Sequence, residues 1–203
     1  MTGPRIPLPG PDEMNAAQRA VYDKIVSGPR GTLVGPLRAA LHNPSLADAW
    51  QALGQVLRFE TSLPRSLNEL AILVTARHWN SELEWTIHAD AARTAGLDET
   101  VIEAIRTCKV PDFSDVAARA IYEFCRELLE HGKAGDTAYA AVLDRWGAVG
   151  AVELSAVVGY YSMVAMTLNN HGIPLPDHIP AQLNSAATSR TLLPPGPMRA
   201  AAE

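Results

Sequence analysis

Apolar positions recur at helical spacing along almost the whole chain, and the strict alternation of a half-buried strand never appears. Ala17, Ala20, Val21 and Ile25 share one face over 12–26, a segment that Asp12 can cap. A short helix to about Leu41 ends before Asn43-Pro44, and Leu46, Ala49, Trp50, Leu53 and Leu57 then form a stripe over 45–59. The segment 67–79 is apolar on nearly every side, which predicts an interior helix, whereas 82–95 carries one stripe (Leu83, Ile87, Ala91, Ala95) and stops at Gly96. Val101, Ile102 and Ile105 face inward over 98–108, with Asp98 as cap, and an amphipathic helix follows over 114–131, closed by Gly132. Asp136 opens a helix to Trp146, and 148–170, apolar nearly all round, ends at Gly172 before Pro174 and Pro176. The prediction is an all-α fold. Arg19-Ala20-Val21-Tyr22 recurs as Arg119-Ala120-Ile121-Tyr122, and Glu69-Leu70-Ala71 as Glu153-Leu154-Ser155, which fits two related helical halves packed as one domain.

The ends have no core-forming pattern. Residues 1–11 are proline-rich and read as an extended arm, disordered or laid on a neighbouring subunit; 12–185 form the helical domain; 186–203 read as a flexible tail. Between the first two helices, 28–36 is broken by glycine and proline and must be a loop. Arg30 and Arg38 flank it, either as solvated cations or as contacts for an anionic substrate.

At 203 residues with 47% hydrophobic and 19% charged positions, the chain has the balance of a globular protein with one core. A net charge of −5 without a basic run argues against nucleic acid. No run of membrane-spanning length and no signal-peptide pattern at the amino terminus are evident, so a cytoplasmic protein is expected. Cys108 and Cys125 have neither redox nor metal spacing and read as small core residues.

Chemistry concentrates in SLNELAILVTARHWNSELEWTIHADAARTAG, residues 66–96, where Glu69, Glu84 and His88 sit on apolar helices. Glu84 and His88, four apart, can meet across one turn, so that the carboxylate orients the imidazole or raises its pKa. Glu84 can equally be a solvated charge, and His88 a satisfied core histidine. Ser66-Leu67-Asn68-Glu69 fits a capping box, which gives Glu69 a structural role as an alternative to a catalytic one. Arg77 ends the first central helix and either offsets its dipole or meets a substrate carboxylate; Tyr160, Tyr161 and Asn169 are possible pocket lining or core. Two carboxylates and one imidazole are a sparse metal set with no second histidine motif, so no metal is expected.

Glu69-x(11)-Ser81-x-x-Glu84-x-x-x-His88, followed by A-x-x-A-G-L, resembles the core motif of the carboxymuconolactone decarboxylase family, related to the AhpD alkylhydroperoxidases. In AhpD-like members a Cys-x-x-Cys pair stands where this chain has Ser81 and Glu84; the decarboxylase-like branch lacks it. The resemblance implies an AhpD-like helical fold, a homo-oligomer (a trimer or a multiple), and a cofactor-free decarboxylase-like lyase acting on a small carboxylated lactone or enolisable acid. Glu69, Glu84 and His88 are the implied catalytic group: His88 as proton donor or shuttle, Glu69 as its carboxylate partner or base, Glu84 as the residue that tunes it. Arg77, Ser81, Arg38 and Tyr160 are the candidate substrate contacts. The alternatives are an AhpD-fold member called a peroxidase by kinship alone, a non-catalytic oligomeric ligand-binding module, and a redox protein using Cys108 or Cys125. Thiol peroxidase chemistry needs a nucleophile and a resolving thiol, and Ser81 and Glu84 are neither.

Overall fold

The computed structural model describes residues 3–183 and 191–196, and among these every regular element is helical. After one 3-10 turn at Pro11–Glu13, the helices are α1 Ala16–Ser27, α2 Pro36–Ala40, α3 Pro44–Phe59, α4 Arg65–His78, α5 Glu82–Thr94, α6 Glu99–Arg106, α7 Val116–His131 and α8 Asp136–His171. As its all-round apolar sequence requires, α4 is the centre: every residue from Leu67 to His78 is buried, and α5, α7 and α8 pack around it. The long α8 is two helices joined at Gly147, whose φ of 63° suits glycine and breaks the helix between the two segments expected at 136–146 and 148–170.

Several starts differ from expectation. Asn15, not Asp12, caps α1, with Gln18 completing a reciprocal capping box. α7 begins at Val116 rather than at 114, with Asp115 as its cap accepting from Ala117 N at 2.8 Å. Most consequentially, α4 begins at Arg65 behind Pro64, so Ser66 lies inside the helix and forms no capping box with Glu69.

The amino-terminal arm crosses its own subunit. Arg5 N donates to His171 O (2.8 Å), Arg38 Nη2 to Leu8 O (3.3 Å) and His42 Nε2 to Pro7 O (2.8 Å), and Ile6 and Leu8 pack on the core. Much of the tail expected to be flexible lies outside the described residues, but 191–196 are tied down. Thr191 N donates to His78 O (2.6 Å), the Tyr122 hydroxyl to Pro194 O (2.6 Å), and Gly196 N to Glu123. Contrary to the sequence expectation, α8 is long and apolar enough to cross a membrane, although half of its most apolar window is buried within this fold.

Candidate active site

The turn between α4 and α5 is tight. Asn80 takes a left-handed conformation (φ 50°), Ser81 N returns to Ala76 O at 2.9 Å, and Ser81 becomes the N-cap residue of α5. Folding α5 back on α4 brings His88 against Glu69. His88 Nδ1 lies 2.6 Å from Glu69 Oε2, and Arg65, one turn before Glu69, places Nη2 2.9 Å from the other oxygen. Both Glu69 and His88 are buried.

The charge states follow from this geometry. Burial pushes the Glu69 carboxyl up, but the hydrogen bond and charge of His88 and the cations Arg65 and Arg58 outweigh it, so the pKa lies below the ordinary value. Burial also lowers His88; the Glu69 carboxylate opposes this and Arg58 and Arg65 reinforce it, leaving the imidazole below its ordinary value. At neutral pH the pair is therefore carboxylate and neutral imidazole. An ionised carboxylate only accepts, so the His88 proton sits on Nδ1 and the lone pair on Nε2.

Glu84 is 2% exposed, and neither oxygen has a hydrogen-bond partner among the described residues. Burial raises its pKa well above the ordinary value, against a weaker pull from the Ser81 hydroxyl, which is near without forming a bond of normal geometry. Burial therefore favours its protonated, uncharged form. Glu84 and His88 line one cavity of about 50 Å³, together with Arg30, Arg58, Tyr160 and Tyr161, with apolar walls from α5 and α8. The Tyr161 ring stands edge-on to the imidazole, with centroids 4.9 Å apart, and Tyr160 stacks edge-on against Tyr161 and Trp50.

The structure thus unites Glu69, His88, Glu84 and Tyr160, with one of the two expected partners, Glu69, on His88 and the other, Glu84, not. His88 bonds to Glu69 across the helix pair, not to Glu84 one turn away, because Glu84 points to the cavity. Ser81 is buried at the start of α5, behind the cavity lining. Arg38 holds the amino-terminal arm, and Arg77 is buried at the end of α4, donating to Arg106 O (3.0 Å), Thr191 Oγ1 (3.3 Å) and Asn80. Neither arginine reaches the site. Those that do include Arg58 and Arg65, which the sequence reading passed over. Arg65 was legible as the i−4 neighbour of Glu69; Arg58, at the end of α3, has no sequence signal. Cys108 and Cys125 are free thiols outside the cavity lining, and burial pushes the Cys125 thiol far up. Among the described residues no group of three or more His, Cys, Asp or Glu side chains is arranged to hold a metal ion.

Residues 44–127, which carry Glu69, Ser81, Glu84 and His88, match the model of the Carboxymuconolactone decarboxylase family. No curated protein matches the chain. Among solved structures, an uncharacterized peroxidase-related protein with an alkylhydroperoxidase AhpD core from Ralstonia eutropha JMP134 aligns at a TM-score of 0.70 and 14% identity, covering 86% of this chain and 93% of that one. A peroxidase-related protein from Silicibacter sp. TM1040 aligns at 0.68 and 14%, covering 85% and 91%. A cysteine-to-alanine variant of the debrominase Bmp8, in complex with 2,3,4-tribromopyrrole, aligns at 0.67 and 14%, covering 87% and 92%. The motif residues thus lie in a segment that matches this family, on a chain whose all-helical architecture is that of the AhpD core.

Proposed function

We propose that the protein is a cofactor-free lyase of the decarboxylase type, acting by acid–base chemistry on a small carboxylated lactone or related enolisable acid. The observation that carries this reading is that His88, hydrogen-bonded to the buried Glu69 carboxylate, and Glu84, buried where its uncharged form is favoured, line one cavity. Environments that drive two titratable groups apart are how one pocket holds both a base and an acid near pH 7. The role of Glu84 differs from the one the motif implies. Glu84 is the proton donor, His88 Nε2 the acceptor, and Glu69 the group that orients His88. In decarboxylation the C–C bond to the departing carboxylate breaks and CO₂ leaves. The electron pair passes into the adjoining carbonyl as an enolate, the Glu84 O–H hydrogen-bonds that oxygen, and its proton is then delivered to carbon. His88 relays a solvent proton back to the resulting Glu84 carboxylate. Apolar walls favour the charge-dispersed transition state over the localised carboxylate.

CO₂ release from a carboxylated muconolactone tests this. Glu69→Gln and His88→Asn should each lower kcat by roughly 10² or more, and the double variant should be little worse than either, since the pair acts as a unit. Independent, additive losses would contradict the pairing.

The same reading includes a homo-oligomer, a trimer or a multiple of one. α4 gives no support, being covered within the subunit. Support comes from α8, where Val149 and Val152, and Met163 and Met166, form two pairs three residues apart with exposures of 62%, 69%, 37% and 47%, and from exposed Leu46, Leu53 and Val56 on α3.

A further inference from the structure

We propose that Arg30 and Arg58 form a carboxylate clamp at one end of the cavity, so that the ligand is a small organic anion gripped by a carboxylate other than the group that reacts. The inference rests on the acid–base reading only for which end of the ligand reacts.

The two arginines come from different places, the loop after α1 and the last turn of α3, yet line the same cavity as Glu84 and His88. Neither has a carboxylate within ion-pair distance among the described residues, whereas Arg65, Arg93, Arg106 and Arg126 each pair with at least one. Glu69 cannot serve, because Arg65 and His88 already hold it, and Glu84 forms no ion pair with either, its burial favouring the uncharged form. Each of the two keeps a buried Nε–H with no partner among the described residues, and an unmet buried donor costs about 1–3 kcal/mol, which a ligand that accepts from it restores. The Nε and Nη edge of a guanidinium is the fork that a carboxylate meets side-on with two bonds.

The charges face inward. Arg58 lowers the proton affinity of Glu69, His88, Tyr160 and Tyr161 alike, and Arg30 that of Tyr160. Arg30 is also positioned, with Nη2 3.5 Å from the Tyr160 hydroxyl. Gly54 makes the room for this contact: a Cβ there would run into both the Tyr160 hydroxyl and the Arg30 guanidinium.

A carboxylate on two guanidiniums is stabilised against leaving as CO₂, because its departure would move the negative charge away from both cations. A substrate that loses CO₂ here therefore carries a second acid group, directed at Glu84 and His88. The enclosed volume of about 50 Å³ takes only a few heavy atoms, so the rest of the molecule extends past Val34, 40% exposed at the rim.

Ligand-observed NMR titration with propionate and succinate, against propionamide and succinamide, reads this directly. The carboxylates should saturate wild-type protein at millimolar concentration and the amides bind at least about tenfold more weakly, the scale of one charge-assisted hydrogen bond. Arg30→Gln and Arg58→Gln should each weaken the carboxylates by a similar factor, with Arg58→Lys in between and Arg38→Gln, on the arm, unchanged. His88→Asn should bind normally while losing turnover. Amides that bind as tightly as the acids, no saturable carboxylate binding by wild type, or wild-type affinity in both glutamine variants would each overturn the clamp. The amide comparison needs only wild-type protein, so it decides the matter even if a variant does not fold. If binding follows the arginines but turnover is indifferent to His88, the clamp stands and the acid–base reading fails.

Discussion

Replacing Glu84 with glutamine should change how stability depends on pH, with a sign and slope set by the buried carboxyl alone. The wild-type carboxyl is held neutral by burial, with its folded pKa well above the ordinary 4.5. In the unfolded chain the same group ionises near the ordinary value. Between these two values the folded state carries one more proton than the unfolded state, so unfolding releases a proton and stability falls as pH rises. The slope is about 1.4 kcal/mol per pH unit. This contribution is absent below the unfolded pKa and reaches its full destabilising size above the folded one. Glutamine has nearly the same shape and does not titrate. Glu69 and His88 also titrate differently in the two states, but both are present in each protein and cancel in the difference. The expected result is a variant that gains on wild type by about 1.4 kcal/mol per unit between pH 5 and 6. With a urea slope near 3 kcal/mol/M that is roughly 0.5 M in the midpoint. Urea unfolding of both proteins at one fixed concentration, at half-unit steps from pH 5 to 8, makes the measurement. A difference that stays flat from pH 5 to 6 would mean that Glu84 is already ionised in the folded protein, and the assignment of a neutral acid to the cavity would be refuted.

Two further outcomes follow from the same geometry. Peroxide consumption with a dithiol reductant should stay at background, since Ser81 and Glu84 replace the thiol pair and Cys125 is buried with its pKa pushed far up; turnover abolished by Cys108→Ser or Cys125→Ser would show otherwise. Light scattering at micromolar concentration should report an oligomer, and Val152→Glu with Met163→Glu should dissociate it while leaving the helical circular dichroism intact, because both side chains point away from the core. A wild-type monomer would contradict that.

The helices and the centrality of α4 could be read from the sequence because they depend on a local quantity, the spacing of apolar side chains. Even the break at Gly147 showed, as the gap between two helical segments. Caps were less legible: Asp12 and Asn15 are both good cap residues, and only packing chooses between them. Ser66 to Glu69 satisfies a capping pattern on paper, but Pro64 starts α4 earlier and moves Glu69 into the second turn, facing His88. The Glu84 and His88 pairing failed for a similar reason. Helical spacing shows that two side chains share a face, whereas the partner that His88 takes lies across a helix interface. Arg30 was legible as a possible contact for an anionic substrate, but Arg58 was beyond reach, because only the packing of α3 and α8 around the loop after α1 brings the two together. That convergence is a property of the tertiary fold.

The most direct measurement is CO₂ release from a carboxylated muconolactone by the purified protein, with no cofactor, metal or thiol added, in wild type, His88→Asn and Glu84→Gln. The account predicts turnover by wild type, a fall of roughly 10² or more in kcat for each variant, and undiminished turnover in Cys108→Ser. No release by wild type, or a full rate with His88 replaced, would contradict it.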